Sequence, residues 1–131
     1  MGKKFAADLV NKTKSESVIL ALTGDLGSGK TTFVQGLAKG LGTKQRIISP
    51  TFILMRKYEL GFKNFHHIDL YRLEENVEVE VRNLGIEEIW SNPENIIAIE
   101  WAEKIKDILP KHATWIKFEN LGEDERKIII K

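Results

Sequence analysis

Residues 17–41 read SVILALTGDLGSGKTTFVQGLAKGL, and this stretch decides the fold. Its first seven residues form a near-continuous apolar run, which is typical of a strand buried on both faces of a parallel sheet. A glycine-rich segment follows, and residues 30–41 then carry apolar side chains at helical spacing. Those side chains are Phe33, Val34, Leu37, Ala38 and Leu41. The stretch therefore predicts a buried strand, a glycine loop and an amphipathic helix, in that order.

The loop between this strand and helix, Gly24–Thr31, reads GDLGSGKT and matches the pattern G-x-x-x-x-G-K-[ST] in full. Glycines let successive main-chain N–H groups turn inward around phosphate oxygens, and the start of the helix adds its positive dipole end. We expect the Lys30 ammonium to reach the β- and γ-phosphates of a nucleotide and the Thr31 hydroxyl to ligate Mg²⁺. The residues predicted to bind the nucleotide are Asp25, Gly27, Ser28, Gly29, Lys30, Thr31 and Thr32.

A phosphate loop also needs a carboxylate for the metal, usually at the end of a second buried strand. Glu100 directly follows the apolar run Ile96–Ile99 and is the predicted metal ligand, together with Thr31. Asp69 ends a strand-like segment and is the second candidate, either as general base or as a ligand through a water. Asp69 and Lys30 are therefore the predicted catalytic residues.

Two further segments are candidates for nucleotide-sensing positions. In nucleotide switches a threonine such as Thr51 of the segment Ser49–Phe52 can sense the γ-phosphate, although Ser-Pro also commonly begins a turn. His66 and His67 are adjacent, so on a strand their side chains point to opposite faces. At most one of them therefore faces the site.

The rest of the chain completes an α/β architecture, because strand-like and helix-like segments alternate. We expect a P-loop NTPase-like central sheet, mostly parallel with an antiparallel hairpin and flanked by helices, in a single domain over residues 1–131. The other predicted elements are a helix over 5–14, a hairpin of 52–60 and 63–70 around Gly61, a helical region over 74–90 broken near Gly85, a helix from Trp101 to Leu109 stopped by Pro110, and a closing hairpin of 114–119 and 127–130 with Gly122 in its turn.

Composition excludes several classes of protein. Hydrophobic residues make up 42% and charged residues 30% of the chain, which is ordinary for a globular protein. Cysteine is absent, so disulfides, thiolate nucleophiles and cysteine-based zinc sites are excluded. No apolar run approaches the roughly 18 residues that a membrane helix needs, and the N-terminus lacks the pattern of a signal peptide. We therefore expect a cytoplasmic protein with no membrane partner.

The net charge of +1 is unevenly distributed. Residues 1–60 carry ten Lys/Arg and four Asp/Glu, whereas residues 61–131 carry ten and fifteen. An anionic ligand is thus expected in the first half, and the second half is a poor nucleic-acid surface. The acidic density between Glu74 and Glu88 is either a solvated helix face or a docking surface.

Four sequence blocks, taken together, resemble the TsaE (YjeE) family: residues 24–32, the segment SPTF at 49–52, HIDLYR at 67–72 and IEW at 99–101. The stretch Leu84–Ile86 after an acidic helix is similar as well, and the resemblance covers roughly residues 5–119. The loop motif alone is generic, but HIDLYR combined with Glu-Trp at this distance is specific.

The resemblance implies a bacterial cytoplasmic ATPase of tRNA threonylcarbamoyladenosine biosynthesis, with ATP and Mg²⁺ as its cofactors. Its partners would be the TsaB and TsaD proteins, and tRNA would be reached only through their complex. The metal roles carry onto Thr31 and Glu100 and an ATPase role onto Asp69, while Thr51 would belong to a first switch and His67 to a second. One departure is the short segment before the first predicted helix, from which we expect looser selectivity for adenine.

Three alternative functions remain in view. A small P-loop kinase needs lid arginines, and the arginines after the loop are not clustered in this sequence. A GTPase needs the guanine-reading Asn-Lys-x-Asp, which is absent. A nucleotide-gated binding module would use slow hydrolysis only to time docking.

Two side chains have two interpretations each. Trp101 is expected either to pack against the nucleotide site or to anchor a helix. Arg72 is expected either to bind a negative charge in the site or to pair with Glu74 or Glu75.

Overall fold

The computed structural model describes residues 17–24, 29–42, 55–60, 63–120 and 126–130. The predicted helix over 5–14, the loop residues Asp25, Gly27 and Ser28, the Thr51 segment and the turn at Gly122 lie outside these residues. In the described part the element order is β1 (Val18–Thr23), α1 (Lys30–Gly40), β2 (Met55–Glu59), β3 (Asn64–Asp69), α2 (Val77–Asn83), α3 (Ile86–Ser91), β4 (Asn95–Glu100), a 3₁₀ turn (Ala102–Ile105), β5 (Thr114–Asn120) and β6 (Arg126–Ile130).

The strands form one six-stranded sheet in the order β2-β3-β4-β1-β5-β6. The four inner strands β3, β4, β1 and β5 run parallel, and β2 and β6 pair antiparallel with their neighbours at the two edges. This confirms the predicted fold class, a mostly parallel sheet with antiparallel hairpins. Strand β1 lies between β4 and β5, and Ile19, Leu20, Ala21 and Leu22 are all buried, as expected for a strand covered on both faces.

Two apolar clusters cover the two faces of the sheet, because alternate side chains of each strand point to opposite sides. Helix α1 packs on the first face and helices α2 and α3 on the second. The first cluster includes Leu20, Leu22, Phe33, Val34, Leu37, Phe65, Ile96, Ala98 and Ile116. The second cluster includes Ile19, Ala21, Ile68, Val81, Ile86, Trp90, Ile97, Ile99 and Ile105.

The helical region predicted over 74–90 forms two short helices that begin only at Val77 and are separated at Gly85. Gly85 has a φ of 79°, a left-handed conformation that interrupts the helix and that glycine adopts without steric cost. The break is therefore confirmed, and the start is shifted because Asn76 is also left-handed, with φ 52°.

The helix predicted from Trp101 to Leu109 is wrong. Trp101 leaves β4 in a left-handed conformation, with φ 62°, and only Ala102–Ile105 is helical, as a single 3₁₀ turn. The buried side chains of this turn, Ala102 and Ile105, are three residues apart, and side chains at this spacing lie on the same side of a 3₁₀ helix, which has three residues per turn. No helix in the described ranges is long and apolar enough to cross a membrane.

Candidate functional site

The site lies where the carboxyl ends of β3 and β4 meet the start of α1. In the parallel pairing of these strands Asp69 is the direct partner of Glu100. Both carboxylates follow the alternation that places Phe65 and Ile96 under α1, so both belong to the face covered by that helix. Asp69 is 5% exposed and Glu100 3% exposed, so the fold removes two acidic side chains from water at one edge of the sheet.

Glu100 is held from two sides. The Thr31 hydroxyl, in the first turn of α1, donates to Glu100 Oε1 at 3.1 Å. On the other side, His67 Nε2 lies 2.6 Å from Glu100 Oε2, and the His67 side chain is fully buried. The structure thus brings together three of the predicted site residues, which are widely separated along the chain.

Lys30 occupies an unusual electrostatic position. It is the first residue of α1, where the helix dipole is positive, and it is only 4% exposed. Its ammonium donates to the Gly24 carbonyl and lies 3.7 Å from the centroid of the Trp101 ring. The first turn of α1 has no acidic residue and no side-chain cap. A buried cation at the positive end of a helix therefore favours an anion at this helix end.

Gly29, the residue before α1, has a φ of 103°. A Cβ atom at this position would meet nothing within 4 Å, so the requirement for glycine is conformational and not steric. This left-handed residue turns the chain from the loop into the helix, and its carbonyl accepts the first helical hydrogen bond from Phe33 N at 2.9 Å. Thr32, the last of the predicted nucleotide-binding residues, is exposed on α1.

The turn after β3 orients Asp69. Asp69 Oδ1 accepts a hydrogen bond from Tyr71 N at 3.0 Å, which is an Asx-type turn. Lys104 closes the same turn from the 3₁₀ segment, because its Nζ donates to the carbonyls of Leu70, Tyr71 and Leu73 at 3.1, 2.9 and 2.7 Å. Lys104 was not among the predicted site residues. A lysine four residues after a candidate metal ligand carries no signal of a backbone contact until the two strands are known to be neighbours.

Trp101 lies between the two lysines. The distance to the centroid of its ring is 3.7 Å from Lys30 Nζ and 5.7 Å from Lys104 Nζ. The centroid of the exposed Tyr71 ring lies 5.4 Å from the same point. Of the two interpretations left open by the sequence, packing against the loop lysine describes the ring better than a helix anchor, since no α-helix begins there. Its left-handed backbone is the kind of strain that is often found at functional sites. Arg72, on the following turn, is exposed.

The donor set fits Mg²⁺ bound together with a nucleotide. Mg²⁺ prefers oxygen ligands and is usually held by one or two carboxylates plus substrate phosphates and waters. Thr31 and Glu100 supply a hydroxyl and a carboxylate on adjacent elements, and Asp69 a second carboxylate on the next strand. Among the residues that the structure describes, no group of three or more His, Cys, Asp or Glu side chains could hold a metal by itself. Thr31, Glu100 and Asp69 fit a shared metal–nucleotide site because they supply oxygen ligands beside the start of α1.

His66 belongs to a different environment from His67. It follows the opposite alternation on β3, so of the two histidines it is His67 that faces the site. Burial lowers the pKa of the His66 imidazole below its ordinary value; the Asn95 side chain opposes this shift, and the positive charge of Lys57 adds to it. His66 Nδ1 has no hydrogen-bond partner in the described residues.

Comparison with known proteins adds the family. Residues 1–128 match the family model described as threonylcarbamoyl adenosine biosynthesis protein TsaE. The chain is 39% identical over 110 residues to the TsaE protein of Bacillus subtilis, covering 84% of the chain and 66% of the relative. It is 40% identical over 110 residues to TsaE of Haemophilus influenzae, covering 84% and 68%.

The fold has a counterpart among solved structures. The crystal structure of YdiB from Bacillus subtilis matches with a TM-score of 0.71 and 33% identity, over 96% of this chain and 75% of the other. The chain spans about two thirds of the length of the two relatives. The family predicted from the four sequence blocks is thereby confirmed: the chain belongs to the TsaE family of tRNA threonylcarbamoyladenosine biosynthesis proteins.

Proposed function

We propose that this chain is a Mg²⁺-dependent ATPase of the bacterial cytoplasm that acts with TsaB and TsaD in the threonylcarbamoyladenosine modification of tRNA. One observation carries the proposal. The hydroxyl of Thr31, the residue after the loop lysine, donates to a buried carboxylate at the end of a neighbouring strand, at 3.1 Å. In P-loop NTPases a threonine and an acid in these two places hold Mg²⁺ beside the phosphates.

The described side chains have distinct roles in this chemistry. Lys30, already at the positive end of α1, neutralises the β- and γ-phosphates, and the first-turn amides of the helix donate to their oxygens. Bound Mg²⁺ would supply charge neutralisation on the phosphate oxygens, held by Thr31 and Glu100. Asp69, whose Oδ1 accepts a hydrogen bond from Tyr71 N, is the carboxylate that orients the attacking water.

The proposed partners follow from the family and from the charge. The family is named for the biosynthesis of a tRNA modification, yet the second half of the chain carries more acidic than basic residues. Such a surface repels the phosphate backbone of tRNA. We therefore assign tRNA contact to the TsaB–TsaD complex and a nucleotide-driven role to this chain. We also expect these partners to accelerate hydrolysis, because a stabilising arginine supplied by a partner raises the rate of P-loop enzymes by roughly 10³–10⁵-fold.

The test is ATP hydrolysis by the purified chain with and without TsaB and TsaD, with phosphate release as the readout. We expect slow turnover alone, acceleration in the presence of both partners, and loss of turnover in Glu100→Gln. Glu103→Gln is the matched control, because Glu103 is an exposed acid three residues further along. Fast turnover that ignores the partners, or normal turnover in Glu100→Gln, would contradict the proposal.

A pull-down with TsaB and TsaD in ATP and then in ADP tests the partnership directly. We expect a complex whose amount depends on the nucleotide. A complex that depends on the nucleotide in the absence of hydrolysis would favour a nucleotide-gated binding module, and a phosphorylated small-molecule product would favour a kinase.

A further inference from the structure

We propose that His67 is a positioning residue for the metal ligand: its Nε2–H holds one oxygen of Glu100 and thereby aims the other oxygen at Thr31 and the metal. This inference rests on the proposed function, since it concerns the same Mg²⁺–ATP site. It goes beyond that function because it assigns to a buried histidine the orientation of a carboxylate that the motif alone leaves free to rotate.

The sheet register makes the contact possible. In the parallel β3–β4 ladder His67 pairs with Ala98 and Asp69 pairs with Glu100. His67 is therefore one register step of two residues away from the Asp69–Glu100 pair. Alternation places the side chain of His67 on the same face as that of Glu100. The imidazole can therefore lie along the strand ends, and its Nε2 is found 2.6 Å from Glu100 Oε2, with exposures of 0% and 3% for the two side chains.

The direction of this hydrogen bond follows from the partners. A carboxylate only accepts, so the proton of the bond is carried by His67 Nε2. The other carboxylate oxygen, Oε1, accepts from the Thr31 hydroxyl at 3.1 Å. The two oxygens are thus divided between two donors, one on β3 and one on α1. A glutamate has several rotatable bonds, and this division selects one rotamer before any ligand arrives.

His67 is not itself assigned as a metal ligand. Its Nε2 is engaged by Glu100, and Mg²⁺ prefers oxygen donors. Its Nδ1 has no hydrogen-bond partner in the described part of the chain, so the bond to Glu100 is the polar contact seen to orient the ring. Side chains that orient metal ligands in this way typically contribute roughly 10–100-fold to metal affinity.

The experiment compares His67→Gln with His67→Asn. Both substitutions introduce a neutral amide, but the glutamine amide extends to the place of Nε2, whereas the asparagine amide reaches only the place of Nδ1. Mn²⁺ binding in the presence of an ATP analogue is measured by electron paramagnetic resonance, and metal-free nucleotide binding by fluorescence. We expect His67→Asn to weaken Mn²⁺ binding roughly 10–100-fold, His67→Gln to retain most of it, and metal-free nucleotide binding to be unchanged in both.

His66→Gln is the matched control, because His66 is the adjacent buried histidine on the opposite face of β3, and we expect it to bind Mn²⁺ like the wild type. The inference is overturned if His67→Asn and His67→Gln bind Mn²⁺ equally well, or if His66→Gln weakens binding as much as His67→Asn. Glu100→Gln distinguishes a failure of this inference from a failure of the proposed function. If wild type binds Mn²⁺ and Glu100→Gln does not, the metal site stands and the His67 variants alone decide; if wild type shows no metal-dependent binding, the proposed function fails and this inference fails with it.

Discussion

Replacing Lys104 by methionine should loosen the turn that holds Asp69. The Lys104 ammonium donates to the carbonyls of Leu70, Tyr71 and Leu73 at 3.1, 2.9 and 2.7 Å, so all three of its protons are used on one turn. Methionine keeps the length and the apolar stem of the side chain but removes every donor. Three carbonyls then lose a charged partner at once.

The expected magnitude follows from the number and the exposure of these bonds. A hydrogen bond to a charged group contributes about 1.5–3 kcal/mol when water cannot replace it. Lys104 is half-buried, so water takes over part of the lost contacts, and we expect Lys104→Met to lower the free energy of unfolding by about 2 kcal/mol in total. For a domain of this size that corresponds to a decrease in Tm of roughly 7 °C.

Urea denaturation and thermal melting measure the stability, and hydrogen exchange at residues 70–73 locates the change. Lys106→Met is the matched control, because Lys106 is an exposed lysine of the same segment, and we expect it to change stability by less than about 0.5 kcal/mol. Because Tyr71 N also holds Asp69, ATP turnover should fall in Lys104→Met more than nucleotide affinity does. If the two methionine variants are equally stable and exchange equally fast at residues 70–73, the assigned role of Lys104 is refuted.

Three other outcomes are expected. Lys30→Met should weaken binding of a fluorescent ATP analogue by roughly 10–100-fold. It should change the free energy of unfolding without nucleotide by less than about 1 kcal/mol, because removing a cation from the positive end of α1 is favourable and offsets the lost contacts to Gly24 and Trp101; a large loss of stability would contradict this. Burial lowers the pKa of His66 in the folded state, so the unfolded chain binds a proton more readily than the folded chain. The free energy of unfolding should therefore be highest above about pH 6.5 and decrease as the pH falls below it. His66→Gln should make this decrease smaller in urea titrations at several pH values. The isolated chain should not bind tRNA with submicromolar affinity at physiological salt in filter binding.

Much of the fold could be predicted because its signals are local along the chain. The apolar run of β1 and the helical spacing of α1 each lie within one segment, and Gly29 directly precedes the helix that it begins. The helix predicted after β4 was wrong because the conformation of this segment depends on its contacts with the sheet. Its apolar residues suit a helix, but Trp101 enters in a left-handed conformation and the chain makes one 3₁₀ turn to bury Ala102 and Ile105 against the sheet.

The candidate site divides in the same way. Lys30, Thr31, Asp69 and Glu100 could be proposed from a motif or from an acid that follows a strand, since these are patterns of neighbouring residues. The alternation of a strand shows only that the two adjacent histidines point to opposite faces, so the choice of His67 as a site residue rested on the resemblance to the family, and its contact with Glu100 came only from the structure. Lys104 had no pattern at all, as its partners are backbone carbonyls 31–34 residues away.

By itself, therefore, the sequence predicted a glycine loop between a buried strand and a helix, because the apolar run of β1, the glycines and the helical spacing of α1 are consecutive in the chain. The tertiary structure alone decided which side chains meet at the start of α1. The order β3-β4-β1 sets Asp69 beside Glu100 and brings His67 to Glu100 across 33 residues, and the packing of α1 on the sheet brings Thr31 to Glu100 across 69 residues. Apolar segments of similar composition could pair in many strand orders, and the order that forms is the one stabilised by packing of the whole core.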